Sequence, residues 1–177
     1  MTLKKLGLLL SVLMIAGLFS GAAHAQDICG EATTQTLYMG KNVDVGTVSI
    51  WNDAATLFVM YRITSEEWDL DELHLAIGTQ LWQIPQKKSK PIPGKFPYKK
   101  DFDEDGVKEY IFEIPLGSWT SGANLVVAAH AQLKQFVDGE FEDYYIYESA
   151  WAEGNRFSRK GWAMWFNYMV QSCNLDL

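Results

Sequence analysis

The sequence predicts an all-β, antiparallel fold, and three observations carry that expectation. Apolar residues alternate with polar ones over short runs from Val45 to Gln171. Clusters of Asn, Asp, Gly and Pro separate these runs, as turns require. No long stretch places its apolar residues at helical spacing. Many period-two runs joined by turns suit an antiparallel β-sandwich, jelly-roll or immunoglobulin-like, of about seven or eight strands.

The elements follow in order. Val45 to Trp51 sets Val48 and Ile50 against Thr47 and Ser49. Asn52-Asp53-Ala54-Ala55 is a turn, and Thr56 to Thr64 returns with Leu57, Val59, Tyr61 and Ile63 on one face. The two runs read as a hairpin. Asp71 to Gly78 is a third strand with Leu73, Leu75 and Ile77 aligned. Residues 79 to 106 break the pattern: Pro85, Pro91, Pro93, Gly94 and Pro97 interrupt any ladder, and Lys87, Lys88, Lys90, Lys95, Lys99 and Lys100 make the stretch basic. A loop of this length inside a domain is usually functional or disordered. Strands resume at Val107 to Pro115, with Tyr110, Phe112 and Ile114 together, and at Asn124 to Lys134, with Leu125, Val127, Ala129, Ala131 and Leu133 together. After a turn at Val137 to Glu140 come Asp143 to Trp151 and Gly161 to Gln171, the last aligning Trp162, Met164, Phe166, Tyr168 and Val170.

The first 25 residues read as a signal peptide. Lys4 and Lys5 precede an uncharged apolar run from Leu6 to Phe19, and Ala23-His24-Ala25 supplies small residues where a signal peptidase reads. Cleavage is expected before Gln26, leaving residues 26–177 as one exported domain, secreted, periplasmic or on the cell surface, with no membrane span. The chain carries 15 Lys and Arg against 22 Asp and Glu; with Lys4 and Lys5 removed, the mature charge is −9. Such a surface repels phosphate backbones, which argues against nucleic acid as a partner. Only two cysteines are present, Cys29 and Cys173. In an oxidising compartment they are expected to pair and so join the two ends of the mature chain.

Six local motifs stand out: Val45-Gly46-Thr47-Val48, Glu72 to Gly78, Pro93 to Lys99, Ala128-Ala129-His130-Ala131, Glu148 to Gly154, and Trp162 to Phe166. Together they resemble a secreted β-sandwich module that recurs, alone and within larger chains, in bacterial and archaeal extracellular and surface proteins. The resemblance spans roughly residues 43 to 170. It implies an exported β domain and transfers no catalytic residue.

Three constellations bear on chemistry. In Asp101-Phe102-Asp103-Glu104-Asp105-Gly106, alternating carboxylates lead to a glycine at the sixth place, as in a calcium loop. Asp101, Asp103 and Asp105, the carbonyl of Val107 and the carboxylate of Glu109 are the candidate ligands. Phe112 stands where an EF-hand has its bidentate acid, so the other reading is an acidic turn. His74 and His130 both point away from the aliphatic faces of their strands. With Glu148 they would make a two-histidine, one-carboxylate metal site if the three strands were neighbours. Without metal they are polar residues hydrogen-bonded on a sheet face. Trp82 and Trp119 lie in or beside loops, where an indole can stack on a sugar ring or seal the end of the core.

The sequence contains no H-E-x-x-H, no G-x-S-x-G and no phosphate-binding glycine loop. The reading is therefore a non-catalytic exported module for binding or surface structure, with calcium as its possible cofactor and a glycan or another envelope protein as its partner. A carbohydrate-binding module and a metal-dependent hydrolase at His74, His130 and Glu148 are the alternatives.

Overall fold

The computed structural model describes residues 28–173, and the expected leader at 1–25 lies outside them. Twelve strands occur among the described residues. They are β1 (Cys29–Met39), β2 (Val43–Asn52), β3 (Thr56–Ile63), β4 (Asp69–Gly78), β5 (Gln86–Lys87), β6 (Lys90–Pro91), β7 (Tyr98–Asp101), β8 (Glu109–Pro115), β9 (Asn124–Val137), β10 (Tyr144–Ala152), β11 (Asn155–Arg156) and β12 (Met164–Met169). Two short 3-10 turns, Leu81–Gln83 and Pro93–Lys95, lie in the proline-rich region.

Ten strands form one antiparallel sheet in the order β11-β12-β9-β10-β1-β2-β3-β8, with β4 on the other edge of β9 and β7 outside β4. The strands β5 and β6 pair only with each other. The sheet curls until its ends approach: the Leu70 amide, in β4, donates to the carbonyl of Val107, just before β8, at 2.9 Å. The all-β, antiparallel expectation holds. The pairing, however, traces a single, nearly closed, barrel-like sheet, and twelve strands replace the expected seven or eight.

The predicted hairpin is present, with Gly46 opposite Ile63 and Asn52 opposite Leu57. Its turn is fixed by Asp53, whose Oδ1 accepts from the amides of Ala55 and Thr56 at 2.8 and 2.6 Å. Side chains of one parity fill the interior, including Val48, Ile50, Leu57, Val59, Tyr61, Leu73, Leu75, Leu125, Leu133 and Tyr168. A second apolar layer lies on the outside of the sheet: Ala76, Ile84, Phe96, Val126, Ala128, Trp151, Phe157 and Met164. Met164 thus leaves the face on which its sequence pattern put it with Phe166 and Tyr168.

The two ends of the described chain are tied to each other. Cys29 and Cys173 form a disulfide with Cα atoms 4.5 Å apart. Cys29 stands opposite Asn52 in the β1–β2 ladder. Asn52 is fully buried; its Oδ1 accepts from the Tyr168 hydroxyl at 2.6 Å and the Gln171 amide at 2.8 Å, and its Nδ2 donates to the Asp53 and Gln171 carbonyls. One amide side chain therefore links the end of β2 to the segment that carries Cys173.

Two stability outcomes follow. Closing a loop of 144 residues is worth about 5 kcal/mol of chain entropy, so Cys29→Ser with Cys173→Ser should lower the unfolding free energy by roughly 3–5 kcal/mol in urea titration. Asn52→Ala strands a buried tyrosine hydroxyl and should cost about 2–3 kcal/mol by the same measurement.

Candidate functional site

The residues singled out by sequence fall into separate places. His74 and His130 are brought together. They are directly opposite each other in the β4–β9 ladder, on the outer face, with Nδ1 atoms 3.3 Å apart. Both are buried, at 8% and 6% exposure. One Nδ1 must donate and the other accept, so the accepting ring at least is neutral. Burial, and then the neighbouring His74, pushes the His130 imidazole down to about 3. Burial also lowers His74, against the opposing pull of Glu72, whose Oε2 is 3.7 Å from Nε2.

Glu148 does not join them. It lies opposite Leu133, a residue of the interior, whereas His130 lies opposite Trp151 on the outer face. The register of the β9–β10 hairpin fixes this outcome, because successive side chains of a strand point to opposite faces. Glu148 is also exposed. Among the described residues, no group of three or more His, Cys, Asp or Glu is placed to hold a metal ion.

The acidic run is only partly gathered: Asp101, Asp103 and Val107 border one cleft, while Asp105 and Glu109 are engaged by other side chains. Asp105 accepts from the Tyr145 hydroxyl at 2.6 Å and lies 3.1 Å from the Lys134 ammonium; the tyrosine hydrogen bond, then the lysine, hold its carboxyl below the usual range. Glu109 is bonded to Arg62 at 2.6 Å. The Val107 carbonyl accepts from Leu70. Asp101 closes the β4–β7 ladder opposite Glu72, and Asp103 borders a shallow cleft with Glu104 and Lys100. A calcium ion drawing on all five would have to displace Arg62 and Lys134 from their carboxylates.

Trp82 projects from its 3-10 turn at 77% exposure. Trp119 is half-buried against the interior and borders a cleft with Thr79, Gln83 and Ser118. The two are thus near the same end of the barrel, on different segments.

One further cleft was not anticipated from sequence. It is a cleft of about 400 Å³ on the outer face, between the β5–β6 hairpin and the loop from Phe157 to Ala163. Trp151 and Phe157, both buried, form its floor with ring centroids 6.2 Å apart, and Trp162 lines it. Behind the floor, Trp151 meets His130 at 4.9 Å and Phe96 at 6.2 Å. The rim carries Ser89, Lys90, Ser158 and Lys160.

Both walls are shaped by particular residues. The proline-rich segment is pinned to the sheet by Ile84 and Phe96, each 1% exposed. Its hairpin turns through Lys88 and Ser89, at φ 51° and 57°. Two consecutive non-glycine residues in the left-handed region make a tight hairpin turn at a conformational cost, and such costs concentrate at functional sites. The opposite wall begins at Gly154, where a Cβ would come within 2.2 Å of the Trp165 carbonyl oxygen. Only glycine lets that loop lie on β12.

Charge is segregated around the cleft. Lys87, Lys88 and Lys90 stand on one wall, and Arg156, Arg159 and Lys160 on the other, all exposed. Elsewhere Arg62, Lys108 and Lys134 are engaged by carboxylates, and Lys41, Lys95, Lys99 and Lys100 are exposed. Compared with protein families, curated proteins and solved structures, the chain finds no match in any of the three.

The histidine pair generates a pH prediction. Burial holds both imidazoles below their ordinary value in the folded chain, while the unfolded chain takes up protons from about 6.5 downward. Stability from this source is intact above that pH and is lost as pH falls toward 3, by about 1.4 kcal/mol per unit. Denaturant midpoints from pH 7 to 4 should therefore decline, and His130→Phe should flatten the slope.

Proposed function

We propose that this chain is a non-catalytic exported binding module whose outer cleft takes an acidic glycan. The observation that carries the reading is the coincidence of an aromatic floor with a basic rim on an otherwise acidic chain. Sugar rings present apolar C–H faces that stack on indole, and the half-buried Trp162 offers such a surface at the cleft. A uronic acid adds a carboxylate, which Lys90 and Lys160 are placed to receive as charge-assisted hydrogen bonds. Trp162 packs against the second core, which supports a stacking surface that loses little order on binding. The Cys29–Cys173 disulfide supports an oxidising compartment, and the leader-like start of the chain supports export. No helix among the described residues is long and apolar enough to cross a membrane. The likeness to modules of bacterial and archaeal surface proteins is in keeping with a role outside the cell.

A glycan array probed with the oxidised protein should light up on uronic-acid oligosaccharides and stay dark on their carboxyl-reduced counterparts. By calorimetry, Trp162→Ala should weaken binding at least tenfold, and Lys90→Ala or Lys160→Ala severalfold with a shallower salt dependence. A blank array, or equal binding of acidic and reduced glycans, overturns the proposal.

A further inference from the structure

The chain contains two Asp-Gly steps, Asp105-Gly106 and Asp138-Gly139, and no Asn-Gly. In an Asp-Gly step an aspartate closes readily on its own main chain, because glycine has no Cβ to crowd the attack. The glycine nitrogen bonds to the side-chain carboxyl carbon, and a cyclic imide forms as water leaves. The reaction needs a nitrogen not committed to an acceptor, a carboxyl free to turn toward it, and a backbone loose enough to let them meet.

The two steps have opposite surroundings. At Asp105-Gly106 each requirement is blocked. The Gly106 amide donates to Asp69 Oδ2 at 2.9 Å, and Asp69 is itself held by the Lys108 ammonium at 2.8 Å. Asp105 Oδ2 accepts from the Tyr145 hydroxyl at 2.6 Å, and its Oδ1 lies 3.1 Å from Lys134 Nζ. These partners favour the ionised carboxyl, whereas the imide forms by loss of hydroxyl from the protonated acid. At Asp138-Gly139 none of these restraints is present. The step lies just past the last β9–β10 pair, Val137 with Tyr144. Asp138 is exposed, and neither its carboxyl nor the Gly139 amide has a hydrogen-bond partner among the described residues. The glycine is also obligatory, since a Cβ there would come within 2.2 Å of the Glu142 carbonyl oxygen. The turn therefore keeps beside Asp138 the one residue that leaves it open to attack.

We propose that Asp138 is a site of spontaneous main-chain modification, at which the folded protein converts to isoaspartate, and that Asp105 is protected from the same reaction by Asp69, Tyr145 and Lys134. The Gly139 nitrogen displaces hydroxyl from the Asp138 carboxyl, and its proton leaves with that hydroxyl as one water. Solvent water then adds to one of the imide carbonyls. Addition at the former main-chain carbonyl leaves Gly139 bonded through the side-chain carbon, which is isoaspartate. Addition at the other restores aspartate. No oxidant or reductant enters, and the mass returns to its starting value. The product gains one methylene in the connection between β9 and β10. That connection lies outside the ladder, so the barrel keeps its pairing and its melting temperature stays within a few degrees of the parent.

Incubation of the oxidised, leader-free chain in warm neutral buffer made with heavy-oxygen water tests this, once folded and once in urea with the disulfide intact. Each passage through the imide leaves one heavy oxygen, read by mass spectrometry of the peptides, and electron-transfer fragmentation separates isoaspartate from aspartate. In urea both steps should label at similar rates. In the folded chain Asp138 should stay close to its urea rate, while Asp105 should fall roughly tenfold or more below its own, because it reacts only when its local contacts open. Tyr145→Phe combined with Asp69→Ala should restore labelling at Asp105 and leave Asp138 unchanged. The proposal fails if, in the folded chain, Asp138 labels no faster than Asp105, or if Asp138 labels only in urea. The assigned protection fails if the double variant, folded by circular dichroism, leaves Asp105 as slow as in the parent.

Discussion

The structure depends on one long strand that is buried on both faces. β9 runs from Asn124 to Val137 and pairs with β4 along one edge and with β12 and then β10 along the other. Its odd-numbered residues from Leu125 to Leu133 enter the interior; Val126, Ala128 and His130 enter the outer layer. A strand so placed cannot shift register by one residue without exchanging two buried sets, small aliphatics for a buried imidazole. The interior holds the fold, and the outer layer is what makes a cleft possible. Without Val126, Ala128 and Ala76 beneath them, the rings of Trp151, Phe157 and Phe96 would have nothing to pack against.

That outer layer also explains the histidines. His130 packs against the ring that floors the cleft, and His74 satisfies it across the ladder. A buried imidazole with a neighbouring acceptor keeps its polar atom paired and stays uncharged, which is cheaper than burying a cation. The pair therefore reads as a neutral support behind Trp151. Its acid sensitivity is a by-product of that burial, since the same desolvation that favours the neutral ring makes proton uptake by the folded chain costly.

Much of the fold was legible because most strands have one clearly apolar side. Leu57, Val59, Tyr61 and Ile63 could not alternate so cleanly for any other reason, and the Asp53 turn announced itself. β1 was missed, because Thr33 to Thr36 carry no apolar signal and only Cys29 and Leu37 are buried. β7 was missed for a similar reason: Lys99, Lys100 and Asp101 are exposed on an outer strand. The irregularity of residues 79 to 97 was legible, but not its docking. Ile84 and Phe96, single large apolar residues among prolines and lysines, were the available hint. The site was less legible still. Sequence placed both histidines off the aliphatic face, and they do meet. Whether Glu148 joined them depended on the parity of the β9–β10 register, which the turn sets. One residue more or less between Val137 and Tyr144 would have moved Glu148 to the histidine face.

Charge placement binds these features into one argument. The acids of the Asp101 to Asp105 run are met by Lys134, and Glu109 by Arg62, so part of the negative surface is locally balanced. The basic residues flanking the cleft have no carboxylate within ion-pair distance among the described residues. At physiological ionic strength fields decay over about 8 Å, so a ligand at the cleft senses Lys90 and Lys160 far more than the net charge of the molecule. On the proposed reading, an acidic glycan is drawn to the cleft by Lys90 and Lys160. For an acidic module, the proposed ligand would gain orientation as well as affinity, because a repulsive surface excludes unproductive encounters. The aromatic floor then decides what remains. A small inorganic anion gains only the lysines, while a ring with an apolar face gains both, and the difference between those two sums is the specificity the cleft can have.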